Sequence, residues 1–154
     1  MIDIVSAADP QHIMDAQSLF REYGAEWGGA DLAAENFEDE VLNLGSKYSP
    51  PHGCLFLALK DRRAVGCVAL RVEPSFCEMK RLFVNPRFRG FGIGRALVAQ
   101  AIMEARHLGY HRILLDTLET MNSAVQLYEA FGFRRTAPYN AKSGHLVVFM
   151  ELLL

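Results

Sequence analysis

Apolar positions along the chain change period several times, and each change marks an element. Residues 2–6 form a short apolar run suited to a strand. Asp9-Pro10 then reads as a helix start, with Asp9 as the cap and Pro10 at the first helical position. Ile13, Ala16, Leu19, Phe20 and Tyr23 follow at helical spacing until Gly28-Gly29 breaks the pattern. A second helix is predicted over 31–44, with Leu32, Phe37, Val41 and Leu44 as its stripe, ending in the loop 49–53. Two strands, 54–59 and 64–72, flank the turn Asp61-Arg62-Arg63 as a hairpin, and a third spans 78–84, stopped by Asn85-Pro86. A long helix over 92–108 places Gly94, Leu97, Val98, Ala101, Ile102, Ala105 and Leu108 on one face, with Gly109 as its cap. A strand over 112–118, a helix over 122–131 ended by Gly132, and strands over 133–137 and 146–153 complete the chain. Without a repeat or linker, this order predicts one α/β domain spanning 1–154.

Composition narrows the function classes. A chain of 154 residues can bury roughly two thirds of its unfolded surface, enough for a core without staples. Sixteen basic and eighteen acidic residues give a net charge of −2, so no excess of positive charge points to nucleic acid or a membrane surface. Cys54, Cys67 and Cys77 lack metal-ligand spacing and sit in or beside apolar runs, which marks them as small buried hydrophobes. No metal site is expected. The start lacks the features of a signal peptide, and no run approaches the roughly 18 apolar residues of a membrane span, so a cytoplasmic protein is expected.

The chemistry concentrates where a strand runs into Arg89-Gly90-Phe91-Gly92-Ile93-Gly94-Arg95 and then a helix. The first helical turn leaves backbone N–H groups unpaired at the positive end of the helix dipole. Glycines there let an anion approach the backbone, and Arg87, Arg89 and Arg95 add positive charge. Such a turn suits a pyrophosphate. It also suits a tight turn with no ligand. A dinucleotide site fits less well, because Leu97 stands where the third glycine belongs, although Asp116 lies at a suitable distance. The chain also has no room for further parallel strand–helix units. A kinase-type phosphate loop is excluded by the absence of Gly-Lys-Ser/Thr.

Arg89-x-x-Gly92-x-Gly94 on a strand–loop–helix resembles the acetyl-CoA signature of the GNAT superfamily of N-acetyltransferases. Glu78-Met79-Lys80-Arg81-Leu82-Phe83-Val84 resembles that family's central strand, and Asn122-Ser123-Ala124-Val125-Gln126-Leu127-Tyr128-Glu129-Ala130-Phe131-Gly132-Phe133 its asparagine-and-tyrosine helix. The resemblance implies a mixed, mostly antiparallel sheet with a splayed central parallel strand pair, flanked by helices. It implies acetyl-CoA as co-substrate, with its pantetheine arm between the strands 78–84 and 112–118. Leu82, Phe83 and Val84 would hold that arm through their backbones, and residues Arg89, Gly90, Phe91, Gly92, Ile93, Gly94 and Arg95 the pyrophosphate. Asn122 would contact the cofactor or cap its helix.

For catalysis the resemblance implies Tyr128 as the acid that protonates the departing thiolate, a role a phenol can fill. Packing in the core is the competing role for this residue. Glu78 is the candidate base toward the acceptor's ammonium, with a structural salt bridge as its alternative, and Asp116 and Glu119 follow it. Strand alternation would put Glu78 on one side with Lys80 and Leu82. Tyr23, Trp27, Glu119, Tyr139 and Asn140 are candidates for the acceptor pocket. The five histidines (12, 52, 107, 111 and 145) show no pairing and are read as surface or structural residues. The resemblance thus predicts direct acetyl transfer to a primary amine of a small molecule or peptide, by a monomer or homodimer. A non-catalytic acyl-CoA sensor and a nucleotide-binding domain are the alternatives.

Overall fold

The computed structural model describes residues 1–27, 36–142 and 146–154. The Gly28-Gly29 break, the start of the second helix with Leu32, and His145 lie outside the described residues. Strands β1 (Ile2–Ser6), β2 (Gly53–Lys60), β3 (Arg63–Val72), β4 (Cys77–Val84), β5 (Arg112–Leu118), β6 (Arg134–Arg135) and β7 (Val147–Leu153) form one sheet in the order β1-β2-β3-β4-β5-β7-β6. Every neighbouring pair is antiparallel except β4 and β5. Helices α1 (Pro10–Trp27), α2 (Phe37–Leu42), α3 (Leu44–Lys47), α4 (Ile93–His107) and α5 (Asn122–Ala130) flank it. Among the described residues, no helix is long and apolar enough to cross a membrane.

Local chemistry explains most boundaries. Asp9 caps α1 as expected, its carboxylate accepting the His12 N–H at 2.8 Å, and it also pairs with the His12 ring at 3.3 Å. That pairing was not expected of His12. The segment after Asn36 is two short helices rather than one, broken at Asn43, and the second runs past Leu44 to Lys47. The Asn43 side chain hydrogen-bonds back to the Asp39 carbonyl and carboxylate, both at 3.0 Å, and so competes with helix continuation. Strand β6 is shorter than the predicted 133–137. Phe133 is buried in the core instead, and Thr136 adds one more bond to β7 through its N–H. Met121, not Asn122, is the N-cap residue of α5.

Two apolar layers sandwich the sheet. On one face α4 and α5 cover Val68, Leu70, Cys77, Met79, Ile113, Leu115 and Met150. On the other, α1 to α3 cover Leu55, Leu57, Cys67, Ala69 and Phe83. All three cysteines are free thiols within these layers, and burial pushes the Cys54 and Cys77 thiols up to about 11. They pack as small hydrophobes.

Two departures from a regular sheet matter for function. First, β4 and β5 pair only at Cys77↔Ile113 and Glu78↔Leu114, so the strands part beyond that point. Second, β4 carries a bulge against β3. The register runs Cys67↔Phe83 and then Ala69↔Lys80, leaving Arg81 and Leu82 opposite Val68. Arg81 takes φ +60°, a region that costs a non-glycine residue roughly 1–2 kcal/mol. The extra residue reverses the alternation. Before the bulge Cys77 and Met79 face the α4 layer, whereas beyond it Leu82 and Val84 do. Glu78 and Lys80 therefore do not share a side with Leu82, as simple alternation had implied.

What holds the bulge is an ion pair. The Arg81 guanidinium donates to both Glu40 oxygens of α2 at 2.8 and 2.9 Å, each residue being 6 % exposed. Tyr48 donates to the same carboxylate at 3.1 Å, and the guanidinium lies over the rings of Tyr23 and Phe37. Burial raises the Glu40 pKa, but the bonds and charge of Arg81 outweigh it and hold the carboxyl below its ordinary value. Replacing Glu40 by Gln takes the carboxylate from a buried guanidinium and is expected to cost about 3 kcal/mol in urea denaturation at neutral pH. Because the folded state has the lower pKa, this stabilisation is full above the ordinary carboxylate pKa and fades as pH falls through the folded value. The two proteins should therefore converge in stability as the pH falls below the ordinary carboxylate range, and a gap that persists undiminished in acid would contradict the assignment.

Candidate active site

The parting of β4 from β5 opens a cleft that the first helical turn of α4 and the start of α5 line from one side. Asn85 donates its N–H to Val65 on β3 at 2.8 Å. By alternation, the backbone groups of Val84 and Leu82 face the open side, where β5 no longer supplies partners. They present the edge of a strand that has lost its neighbour.

Beyond β4 a short 3₁₀ turn (Pro86–Phe88) leads into the glycine loop. Gly90 and Gly92 have φ of +88° and +82°, and an added Cβ would touch nothing within 4 Å at either. Their glycine requirement is conformational. At Gly94 an added Cβ would make only an ordinary contact, 3.4 Å from Leu127, so neither backbone conformation nor packing demands glycine there. The first helical bond of α4 runs from Ala96 N–H to Gly92 O, leaving the N–H groups of Ile93, Gly94 and Arg95 without intrahelical acceptors. With no side-chain cap at Gly92, these donors stand at the positive end of a 15-residue helix.

These groups line a groove of about 650 Å³. Its walls include the expected Leu82, Phe83, Val84, Arg89, Gly90, Gly92, Ile93, Gly94, Arg95 and Asn122. Trp27, expected near the acceptor, lines this groove instead. Phe91 does not line it. Its ring is largely exposed, with the Lys60 ammonium 5.5 Å from its centroid. Arg89 lies in the groove but is already committed. Its Nε donates to the Val84 carbonyl at 2.8 Å, and its two terminal nitrogens pair with Glu26 at 2.9 and 2.6 Å. That carboxylate is held below its ordinary pKa chiefly by those hydrogen bonds. Arg95 lies 5.5 Å from the Phe131 ring centroid.

A second, smaller pocket lies deeper between the strands. Tyr23, Glu78, Lys80, Asp116, Tyr128 and Lys142 line it, and Leu82 and Met121 line both pockets and so mark where they meet. Tyr128 is 7 % exposed, packs against Phe133, and makes no hydrogen bond through its hydroxyl among the described residues. Burial above all pushes its phenol well above the ordinary value, so it stays protonated through the alkaline range and can donate. Core packing and a chemical role are thus both compatible with its position.

The two carboxylates differ in availability. Glu78 is 6 % exposed, and one of its oxygens accepts the Tyr139 hydroxyl at 2.7 Å. Asp116 is more heavily engaged: one oxygen faces the Lys142 ammonium at 2.7 Å and the other the Asn140 amide at 2.9 Å. Tyr139 stands between them, 3.4 Å from Asp116, with its ring edge-on to Phe76 and Phe149. Burial and both carboxylates push its phenol far up, fixing it as a donor. Glu119 is not brought into the pocket; it is exposed and pairs with Arg135 at 3.4 Å. The residues that sequence reasoning missed here are Lys80 as a pocket residue, Lys142, and the Arg81–Glu40 pair. The only sequence signal for Lys80 was its place two residues from Glu78. Among the described residues, no group of three or more His, Cys, Asp or Glu side chains could hold a metal ion.

The arrangement matches known proteins throughout its length. The profile of the Acetyltransferase (GNAT) family matches residues 16–133. An uncharacterised N-acetyltransferase of Schizosaccharomyces pombe is 42% identical over 154 residues, covering 98% of this chain and 94% of that protein. A GNAT-family acetyltransferase from Staphylococcus aureus superposes with a TM-score of 0.80 at 20% identity, covering 99% of both chains. The PaiA N-acetyltransferase of Thermoplasma acidophilum, solved in complex with coenzyme A, superposes with a TM-score of 0.74 at 17% identity, covering 100% of this chain and 99% of that one. With the strand parting, the bulge and the glycine loop in place, the chain belongs to the GNAT family of acetyltransferases.

Proposed function

We propose that this chain, as a single catalytic domain over 1–154, moves the acetyl group of acetyl-CoA directly to the primary amine of a small molecule. The observation that carries this reading is the meeting of two unlike pockets at Leu82 and Met121. The outer groove offers backbone donors to a phosphorylated, extended ligand, and the inner pocket offers a protonated phenol and a carboxylate. Bound acetyl-CoA would supply an activated acyl carbon.

The chain's own residues then have separate tasks. The N–H groups of Ile93, Gly94 and Arg95 bind pyrophosphate oxygens. The exposed backbone of Leu82 and Val84 orients the pantetheine amides as a neighbouring strand would, and the Val84 N–H polarises the thioester carbonyl. Glu78 takes the proton from the acceptor's ammonium, directly or through a water, at the oxygen that Tyr139 leaves free. Asp116 suits this task less, because Lys142 and Asn140 occupy both its oxygens. A new C–N bond forms as the C–S bond breaks, Tyr128 gives its proton to the departing sulfur, and the proton shed by the new amide nitrogen returns the phenol to its neutral form. The buried, high-pKa thiols offer no activated nucleophile for a covalent route, which favours transfer in a ternary complex.

Tyr128→Phe is expected to lower kcat by about 10²-fold or more, with little change in coenzyme A affinity by calorimetry. Glu78→Gln should lower kcat by a similar factor. Because the Tyr128 pKa is raised, the wild-type rate should show no alkaline fall attributable to this phenol between pH 7 and about 10. Unchanged turnover in Tyr128→Phe at every pH would remove it as the acid. Coenzyme A binding with no transfer to any amine would favour the sensor function.

A further inference from the structure

Lys80 lies in the inner pocket, and the proposed transfer does not use it. It stands two residues before Leu82 and two after Glu78, ahead of the bulge, so its side chain leaves β4 on the same face as Glu78. Their Cα atoms are therefore about 6.6 Å apart. The other cations around the pocket are paired, Arg81 with Glu40 and Lys142 with Asp116. Among the described residues, the Lys80 ammonium has neither a carboxylate partner nor a hydrogen bond.

This placement is costly for a cation. Burial first, and then the neighbouring Arg81 charge, lower the Lys80 pKa, and the opposing effects of Glu78 and Glu40 do not offset them. A desolvated ammonium regains stability when an anion enters beside it. The pocket therefore presents a separated pair: a carboxylate at Glu78 where an ammonium should dock, and an unpaired ammonium at Lys80.

We infer that Lys80 receives a carboxylate of the acceptor, making the acceptor a free α-amino acid or a close zwitterionic analogue. The inference rests on the proposed acetyl transfer. An α-amino acid carries its two charges a few ångströms apart, as Glu78 and Lys80 offer theirs on one face of β4. Two other amine classes match less well. A polyamine would bring a second cation against Lys80, Arg81 and Lys142, and the N-terminus of a peptide has no carboxylate at that distance.

The test compares free amino acids with their own carboxamides as acceptors, measuring coenzyme A release from acetyl-CoA. The wild-type protein should prefer the acids by about 10–100-fold in kcat/KM, the range expected of one charge-assisted contact. Lys80→Met should bring that ratio close to one, chiefly through a higher KM for the acids. Lys80→Arg should restore part of the preference, which a merely destabilised fold would not do. Equal use of acids and carboxamides by the wild type, or an undiminished preference in Lys80→Met, overturns the inference. If neither series is acetylated while other primary amines are, the amino-acid assignment alone falls. If no amine is acetylated, the transfer reading falls with it.

Discussion

The buried pair between Arg81 and Glu40 sets the shape of everything around it. It joins the middle of β4 to α2 and holds Arg81 at a positive φ that a non-glycine residue does not adopt without compensation. Fixing that bulge turns the second half of β4, so that Leu82 and Val84 exchange faces with the residues before them. The same turn accompanies the loss of pairing with β5 after Glu78. A regular strand would have continued its ladder to β5 and closed the cleft. The strain is thus stored where backbone donors need to remain free.

A second set of contacts ties the acceptor side to the groove. Near the end of α1, Glu22 accepts from Asn85 at 2.8 Å, and Glu26 holds Arg89 in a two-point pair. Both partners belong to the segment between β4 and α4. The last turns of α1, whose Tyr23 faces the inner pocket, are therefore bonded to the residues that lead into the helix N-terminus. Arg89 acts in this structure as the buttress of that segment, its side chain held by Glu26 and the Val84 carbonyl and its own N–H by the Pro86 carbonyl.

Much of this was legible in the sequence, for local reasons. Gly90 and Gly92 stand where positive φ is needed, and the apolar spacing of α4 fixes its buried face. The parallel pair and the groove between its strands were implied by the resemblance to the GNAT family, not by these local signals. The bulge did not show, because its positive-φ residue is an arginine and carries no turn signature. Its partner lies 41 residues away, and the Tyr139 hydroxyl reaches Glu78 across 61. Contacts of that range depend on tertiary packing, which periodicity does not report. Glu119 misled because it follows β5 directly, yet it lies past the strand end, turned outward to Arg135. Asn122 likewise suggested a cap, but the helix begins one residue earlier, leaving its side chain to the groove.

We propose that the strand edge left open by the bulge and the α4 N-terminus form one continuous binding line that leads to the pocket of Tyr128. Amide hydrogen exchange with and without coenzyme A reads that line residue by residue. Exchange should slow at Leu82, Val84, Ile93, Gly94 and Arg95 when coenzyme A is added, with the β1–β2 pair unchanged. Slowing at the helix N-terminus with no effect at Leu82 and Val84 would contradict it, because the open edge of β4 would then hold nothing.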